Sequence, residues 1–361
     1  MDGFDVVIIG GGPAGSTCAA FCAKVGLRTL VLEREKFPRE KVCGDCLNPA
    51  CWSVLRRLEL FERVRALPHG KLDRVEFIAI NGRKINVELA NGDEGEIAVK
   101  RSLFDNLLLV RARELGAQVR EESTVTALHP TAEGGWKIET RHGEILGARA
   151  LVGADGRNST VARLCNLLPR SSRERVALQS HIPLPRDFGN RIVLQFLREG
   201  YSGQAPVNDH ELNLCLVAKP RDIDALKNLA LQEFQIPPAH SWRTITPLTR
   251  AAVSPSHENL FLIGDAARVV EPFTGEGIYY ALRSGELAAG AIVKINRGQD
   301  RHKVSREFTR AYSAMYRGRL WINRLARAAV LSPRIASVFV QVARFQPSLL
   351  RLLTAKIVRP D

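Results

Sequence analysis

The sequence predicts an α/β fold, α+β overall: a parallel strand–helix–strand unit at its start, a small β-meander, a mostly antiparallel sheet and a helical C-terminal region. Three observations carry this. Residues 4–32 run apolar strand, glycine turn, alanine-rich helix, apolar strand; the middle of the chain alternates apolar and polar residues with the period of a half-buried strand; and from residue 301 the pattern turns helical and basic. At 361 residues, 45% hydrophobic and 25% charged, the chain has the size of two domains or one large composite. This composition excludes a disordered chain, a collagen-like repeat and a small disulfide-stapled module.

Val6-Val7-Ile8-Ile9 is the continuous β-branched run of a strand covered on both faces, and it leads straight into Gly10-Gly11-Gly12-Pro13-Ala14-Gly15. Ser16 to Val25 then reads as a helix, and Arg28 to Leu32 as a second strand ending at Glu33, eighteen residues past Gly15. Each part of this Rossmann-like order has a physical task. Gly10, Gly12 and Gly15 permit the tight turn and, with Pro13 and Ala14, bring backbone N–H groups to a pyrophosphate at the positive helix end. Glu33, followed by Arg34, offers its carboxylate to a ribose diol. The context predicts dinucleotide binding over a merely structural turn.

Two further segments narrow the nucleotide. Leu151-Val152-Gly153-Ala154-Asp155-Gly156-Arg157 and Leu260 to Gly277, reading LFLIGDAARVVEPFTGEG, resemble the later flavin motifs of the para-hydroxybenzoate hydroxylase and geranylgeranyl reductase type of flavoprotein. The resemblance covers roughly residues 1–295 and implies FAD as cofactor with NAD(P)H as reductant. It also implies roles residue by residue. Arg101 meets the pyrophosphate or ribityl chain, Asp265 bonds the ribityl hydroxyls, and Asp155, Gly156 and Val125 belong to the same shell. Pro272 shapes the isoalloxazine face or merely starts a helix, and Gly275, Gly277 and Ile278 aim a helix N-terminus at the flavin pyrimidine edge, where reduction develops negative charge.

The loop Lys41-Val42-Cys43-Gly44-Asp45-Cys46 follows the second strand, and Lys-x-Cys-Gly-Asp resembles the geranylgeranyl reductase group in particular. The resemblance places Cys43 and Gly44 beside the flavin and makes Cys43 the candidate catalytic residue. Inert packing of Cys43 is the rival reading. Redox chemistry through the C-x-x-C spacing of Cys43 and Cys46 lacks a second nucleotide motif, and no cysteine–histidine set completes a metal site.

The resemblance implies a discontinuous organisation: residues 1–71, 99–169 and 251–300 form the FAD-binding domain, 72–98 and 170–250 a substrate domain, and 301–361 the basic helical region. Gln118–Leu128, Gly135–Thr140 and Glu144–Val152 read as the three strands of the meander. In the substrate half, Gly200–Val207 lacks the tryptophan-bearing pocket motif of archaeal prenyl reductases, and no W-x-W-x-I-P signature of flavin halogenases occurs. Tyr201, Cys215 and Trp242 are candidates to line the pocket, with ordinary sheet packing as the rival reading for each.

The net charge of +14 is unevenly placed, with thirteen Lys/Arg against two Asp/Glu in 301–361. A basic amphipathic helix there predicts either a layer packed on the body or a peripheral membrane contact. No nucleic-acid motif is visible. Seven cysteines and no secretory leader pattern lead to the expectation of a cytoplasmic protein. The longest apolar stretch, 328–342, is broken by Pro333 and Arg334, so no spanning helix is expected. The expected activity is FAD-dependent oxidation–reduction of a lipophilic or aromatic small molecule, first as an NAD(P)H-dependent hydroxylase. The alternative is reduction of carbon–carbon double bonds, and the remotest a non-catalytic lipid carrier. No histidine context marks a general base, and nothing sets an oligomeric state.

Overall fold

Five strands run parallel through the centre of the first layer, in the order 260–262, 145–153, 4–9, 29–32, 118–120, in a computed structural model that describes residues 3–90, 92–169, 175–270 and 275–317. Val6, Val7 and Ile8 are wholly buried, as a strand covered on both faces requires. Helix Pro13–Lys24 follows the glycine turn and packs between helices Arg101–Glu114 and Gly277–Asn296. Two glycines make the turn close. Gly10 sits at φ +106°, and a Cβ on Gly15 would lie 1.9 Å from the Gly10 carbonyl oxygen.

The predicted strand Gln118–Leu128 is two strands. Gln118–Arg120 extends the parallel sheet, whereas Val125–Pro130 starts the meander with Trp136–Thr140 and Ile145–Gly153. Glu122, at φ +56°, lies in the break between them, a reversal that a period-two reading of the apolar residues cannot register. Strand Ile145–Gly153 serves both sheets: its first half pairs antiparallel with Trp136–Thr140 and its second half runs parallel to Phe4–Ile9. The meander is thereby fixed to the nucleotide layer.

A seven-stranded sheet lies over this layer in the order 243–245, 176–183, 211–218, 200–206, 191–196, 74–78, 84–88. All pairings are antiparallel except 191–196 with 74–78. Helix Ile223–Glu233 covers its far face. Three short strands, 46–47, 70–71 and 97–98, stitch the Cys43 loop to the start of helix Arg101–Glu114.

Helix Arg301–Ala314 is capped by Asp300, whose carboxylate accepts from the Lys303 N–H at 2.7 Å. Val304, Phe308 and Tyr312 turn into the body, Phe308 meeting Phe261 edge-on at 5.1 Å. This part of the basic region is a packed layer. The rest of the basic region, with Leu320, Trp321, Leu325 and Ala328 at helical spacing in its sequence, lies outside the described residues, as does Pro272. No described helix is long and apolar enough to cross a membrane.

Candidate functional site

The two main sheets enclose a cavity of about 630 Å³. One end is lined by Gly10, Gly12, Pro13, Ala14, Glu33 and Arg34, together with Val125, Asp155 and Gly156. Its middle carries Cys43, Gly44, Arg101, Asp265, Gly275, Gly277 and Ile278. Thus the predicted residues that fall among the described ones converge on one space, although they come from segments more than two hundred residues apart in sequence. Gly15 alone stands back from the wall, as a packing residue of the turn.

Glu33 is buried at the tip of its strand and its carboxylate accepts the Gly11 N–H at 2.6 Å and the Glu35 N–H at 2.9 Å. The strand end and the glycine turn are thereby locked together. Arg34 points to solvent, with its guanidinium near Glu35.

Four cations surround the neighbouring stretch of wall. Arg39 lies over the glycine turn, its Nη2 3.4 Å from where a Gly12 Cβ would be, and it pairs with buried Asp105 at 3.0 Å. Arg101 forks onto the same Asp105 at 2.7 and 2.8 Å, one helical turn away. Burial works against the Arg101 charge, but the Asp105 carboxylate holds it firmly protonated. Arg157 donates to Asp265 at 3.2 Å and to the Pro247 carbonyl at 3.2 Å, while its buried Nε finds no partner among the described residues. Lys41 sits among them, and burial, followed by Arg101, Arg157 and Arg39, pushes its ammonium down to about 8. A lysine so discouraged from carrying charge marks a positive potential left without a counter-anion. The glycine turn, Glu33 and this basic wall therefore fit the ribose and pyrophosphate of FAD.

Asp155 plays a narrower part than the motif suggests. Its carboxylate accepts from Ser159 Oγ at 2.6 Å and from the Val161 N–H at 3.0 Å, so it holds the start of helix Thr160–Leu164 and leaves Gly156 to face the cavity. Burial raises its carboxyl above the usual range despite those donors.

The Cys43 loop is gripped from above by the second sheet. The Cys43 carbonyl accepts from Asn213 Nδ2 at 2.8 Å and from Cys215 Sγ at 3.2 Å, and His181 Nε2 meets Asp45 Oδ2 at 2.8 Å. Burial, ahead of all other influences, pushes the Cys43, Cys46 and Cys215 thiols up, so they are neutral thiols near pH 7. All seven cysteines are free, and no cluster able to hold a metal ion occurs among the described residues. Tyr201 and Cys215 line the cavity as expected. Trp242 does not: just before the edge strand 243–245, it packs against the cluster that helix Ile223–Glu233 forms with the far face of the sheet.

Residues to which the sequence assigned no role complete the wall. Lys41 and Arg157 stand inside quoted motifs without having been given a role, Arg39 lies just before one, and all three could have been found from their charge. Glu96, buried at 9% exposure, has no sequence signal at all.

The family described as FAD binding domain matches residues 3–182. The menaquinone reductase of Mycolicibacterium smegmatis is 30% identical over 314 residues, covering 79% of this chain and 75% of that protein. The chain belongs to this superfamily of FAD-dependent oxidoreductases. Conditioned medium factor receptor 1 of Dictyostelium discoideum is 26% identical over 334 residues, 81% of this chain, and the chain spans 63% of its length. Among solved structures, the flavin-dependent brominase Bmp2 superposes with a TM-score of 0.80 at 23% identity, over 99% of this chain and 94% of that one, showing the same fold. In enzymes of this superfamily FAD supplies the redox chemistry, and in this chain the glycine turn, Glu33 and the basic wall would hold it.

Proposed function

We propose that the enzyme reduces a carbon–carbon double bond of a lipophilic, isoprenoid-type substrate, with NAD(P)H as the reductant that recharges its FAD. The observation that carries this reading is the wall of the cavity opposite the cofactor residues. Val75, Phe77, Ile192, Leu194, Phe196 and Val217, all from the second sheet, make it apolar. Burying a chain along such a wall contributes about 25 cal/mol per Å² of apolar surface. In place of the tryptophan absent from Gly200–Val207, the wall has Phe196 on the adjoining strand 191–196 and Phe77 on the strand beyond it. The similarity to a menaquinone reductase supports a lipid substrate and reduction.

Hydroxylation, the first expectation from the sequence, makes a different demand. It needs O₂ and a polar partner that activates an aromatic ring, and most of this wall is hydrocarbon, with Tyr201 and Gln204 its polar side chains. Enzyme reduced under anaerobic conditions and mixed with geranylgeraniol is expected to regain its yellow oxidised absorption as the alkene is saturated. Recovery only on admission of O₂, with oxygen found in the product, would overturn the proposal in favour of hydroxylation. A lipid substrate also suits peripheral membrane contact through the basic C-terminal region, which co-sedimentation with anionic vesicles at low salt tests.

A further inference from the structure

Glu96 is held in place from both sides. The Gly95 carbonyl before it accepts from Trp52 Nε1 at 3.0 Å, and Ile97 and Ala98 after it pair with strands 46–47 and 70–71. Its carboxylate is turned into the cavity, with Oε1 4.0 Å from the position a Cβ on Gly275 would take, beside the start of helix Gly277–Asn296. Among the other carboxylates of the wall, Glu33 is held by backbone N–H groups, Asp155 by Ser159 and Val161, and Asp265 by Arg157, while Glu40, whose buried Oε2 has no partner among the described residues, lies on the Lys41 side beside Arg39 rather than at the start of helix Gly277–Asn296. Glu96 makes no hydrogen bond or ion pair with any described residue, and burial alone pushes its carboxyl up to about 7. Its neighbours Cys46 and Cys51 are thiols raised by burial and by the Glu96 charge, so neither competes as an acid.

We propose that Glu96 is the proton-transfer residue of the substrate cavity, giving its proton to the substrate at the end where the flavin ring fits. The inference rests on the reductase reading. One alkene carbon takes a hydride from reduced FAD, the other takes the Glu96 proton, and two C–H bonds replace the π bond. The flavin is oxidised by two electrons, NAD(P)H reduces it again, and the Glu96 carboxylate regains its proton from water. A carboxyl poised near neutrality is protonated often enough to donate and acidic enough to let go.

The test uses the full chain with FAD, and Glu96→Gln and Glu96→Asp variants of it. Infrared difference spectra of wild type against Glu96→Gln, recorded without substrate, are expected to show a protonated carboxyl band that fades as pH rises through about 7. Anaerobic single-turnover reduction of geranylgeraniol is expected to fall about a hundredfold or more in Glu96→Gln. Its residual rate should be flat with pH, where wild type declines through about 7, and Glu96→Asp should restore part of the rate with a pH profile of its own. A Glu96→Gln enzyme that keeps its FAD, the wild-type rate and the wild-type pH profile would overturn the assignment, as would a carboxyl band already absent two units below neutrality. If the band titrates as expected but wild type reduces no alkene, the reductase reading fails, and donation to an alkene carbon fails with it.

Discussion

His181 Nε2 and the Asp45 carboxylate meet at 2.8 Å, both side chains buried, one on the substrate-facing sheet and the other on the loop that carries Cys43. Asp45 holds a left-handed backbone at φ +61°, which this contact and the Val99 N–H bonded to its carbonyl keep in place. Burial raises the Asp45 carboxyl and His181 lowers it again. Removing the imidazole leaves a buried acid with one oxygen already lacking a partner. His181→Ala is therefore expected to cost about 3 kcal/mol in denaturant unfolding and to loosen FAD. Asp45→Asn, which keeps a polar partner, should cost less. Equal, near-zero costs for both would show that the pair does not hold the loop.

Gly15→Ala tests the turn. Its Cβ would overlap the Gly10 carbonyl oxygen at 1.9 Å, backbone against backbone, so the turn must open. The purified variant is expected to be colourless or unfolded, checked by flavin absorption and circular dichroism. A variant that folds and stays fully yellow contradicts the placement of the pyrophosphate.

Lys41 predicts a pH dependence. Its folded value of about 8, against 10.5 ordinarily, means that its charge opposes folding at neutral pH, and this penalty is relieved as pH rises from 8 to 10.5. An anion beside it restores the charge, so FAD binding should take up a proton between these pH values and weaken above them. Calorimetry in buffers of different ionisation enthalpy measures the uptake. A Lys41→Met variant should lose it.

Glu96 has the opposite sign. Its folded value of about 7 lies above the usual 4.5, so stability is full below 4.5 and is lost as pH rises to 7. Glu96→Gln should remove that loss, stabilising the protein by on the order of 2–3 kcal/mol at pH 8 and by little at pH 4.5. Denaturant melts of both proteins at the two pH values give the comparison.

Phe308→Ala tests whether the first basic helix belongs to the body. Its ring is 3% exposed and edge-on to Phe261, and its loss should cost about 3 kcal/mol. An unchanged melting curve would detach that helix from the core.

The nucleotide half was legible because its chemistry is local. A glycine turn and a strand-ending acid each write themselves into a few adjacent residues, so Gly10, Gly12, Pro13, Ala14 and Glu33 could be placed on the wall before any coordinates, and the family resemblance added Asp265, Gly275, Gly277 and Ile278. What could not be read depends on long-range closure. The sequence gives no hint that His181 reaches Asp45, that the Cys43 carbonyl is held by Asn213, or that Glu96 is buried without a partner, since each arises only when the second sheet folds over the first. For Trp242 the sequence left pocket lining and ordinary sheet packing open, because alternation identifies a strand's two faces without saying which faces the cavity, and the structure shows packing. The split of Gln118–Leu128 was missed for the same reason: apolar period alone does not show where a strand changes sheets.

The central claim is that one cavity holds FAD along the glycine turn and the Cys43 loop, and a lipophilic chain against the second sheet. A crystal structure of the enzyme with FAD and geranylgeraniol tests it most directly. The account predicts the isoalloxazine ring between Cys43-Gly44 and Gly277-Ile278, with the polyprenyl chain against Phe77, Leu194 and Phe196 and the Glu96 carboxyl facing the alkene. A flavin ring bound elsewhere, or a chain lying on the far, Trp242 side of that sheet, would contradict it.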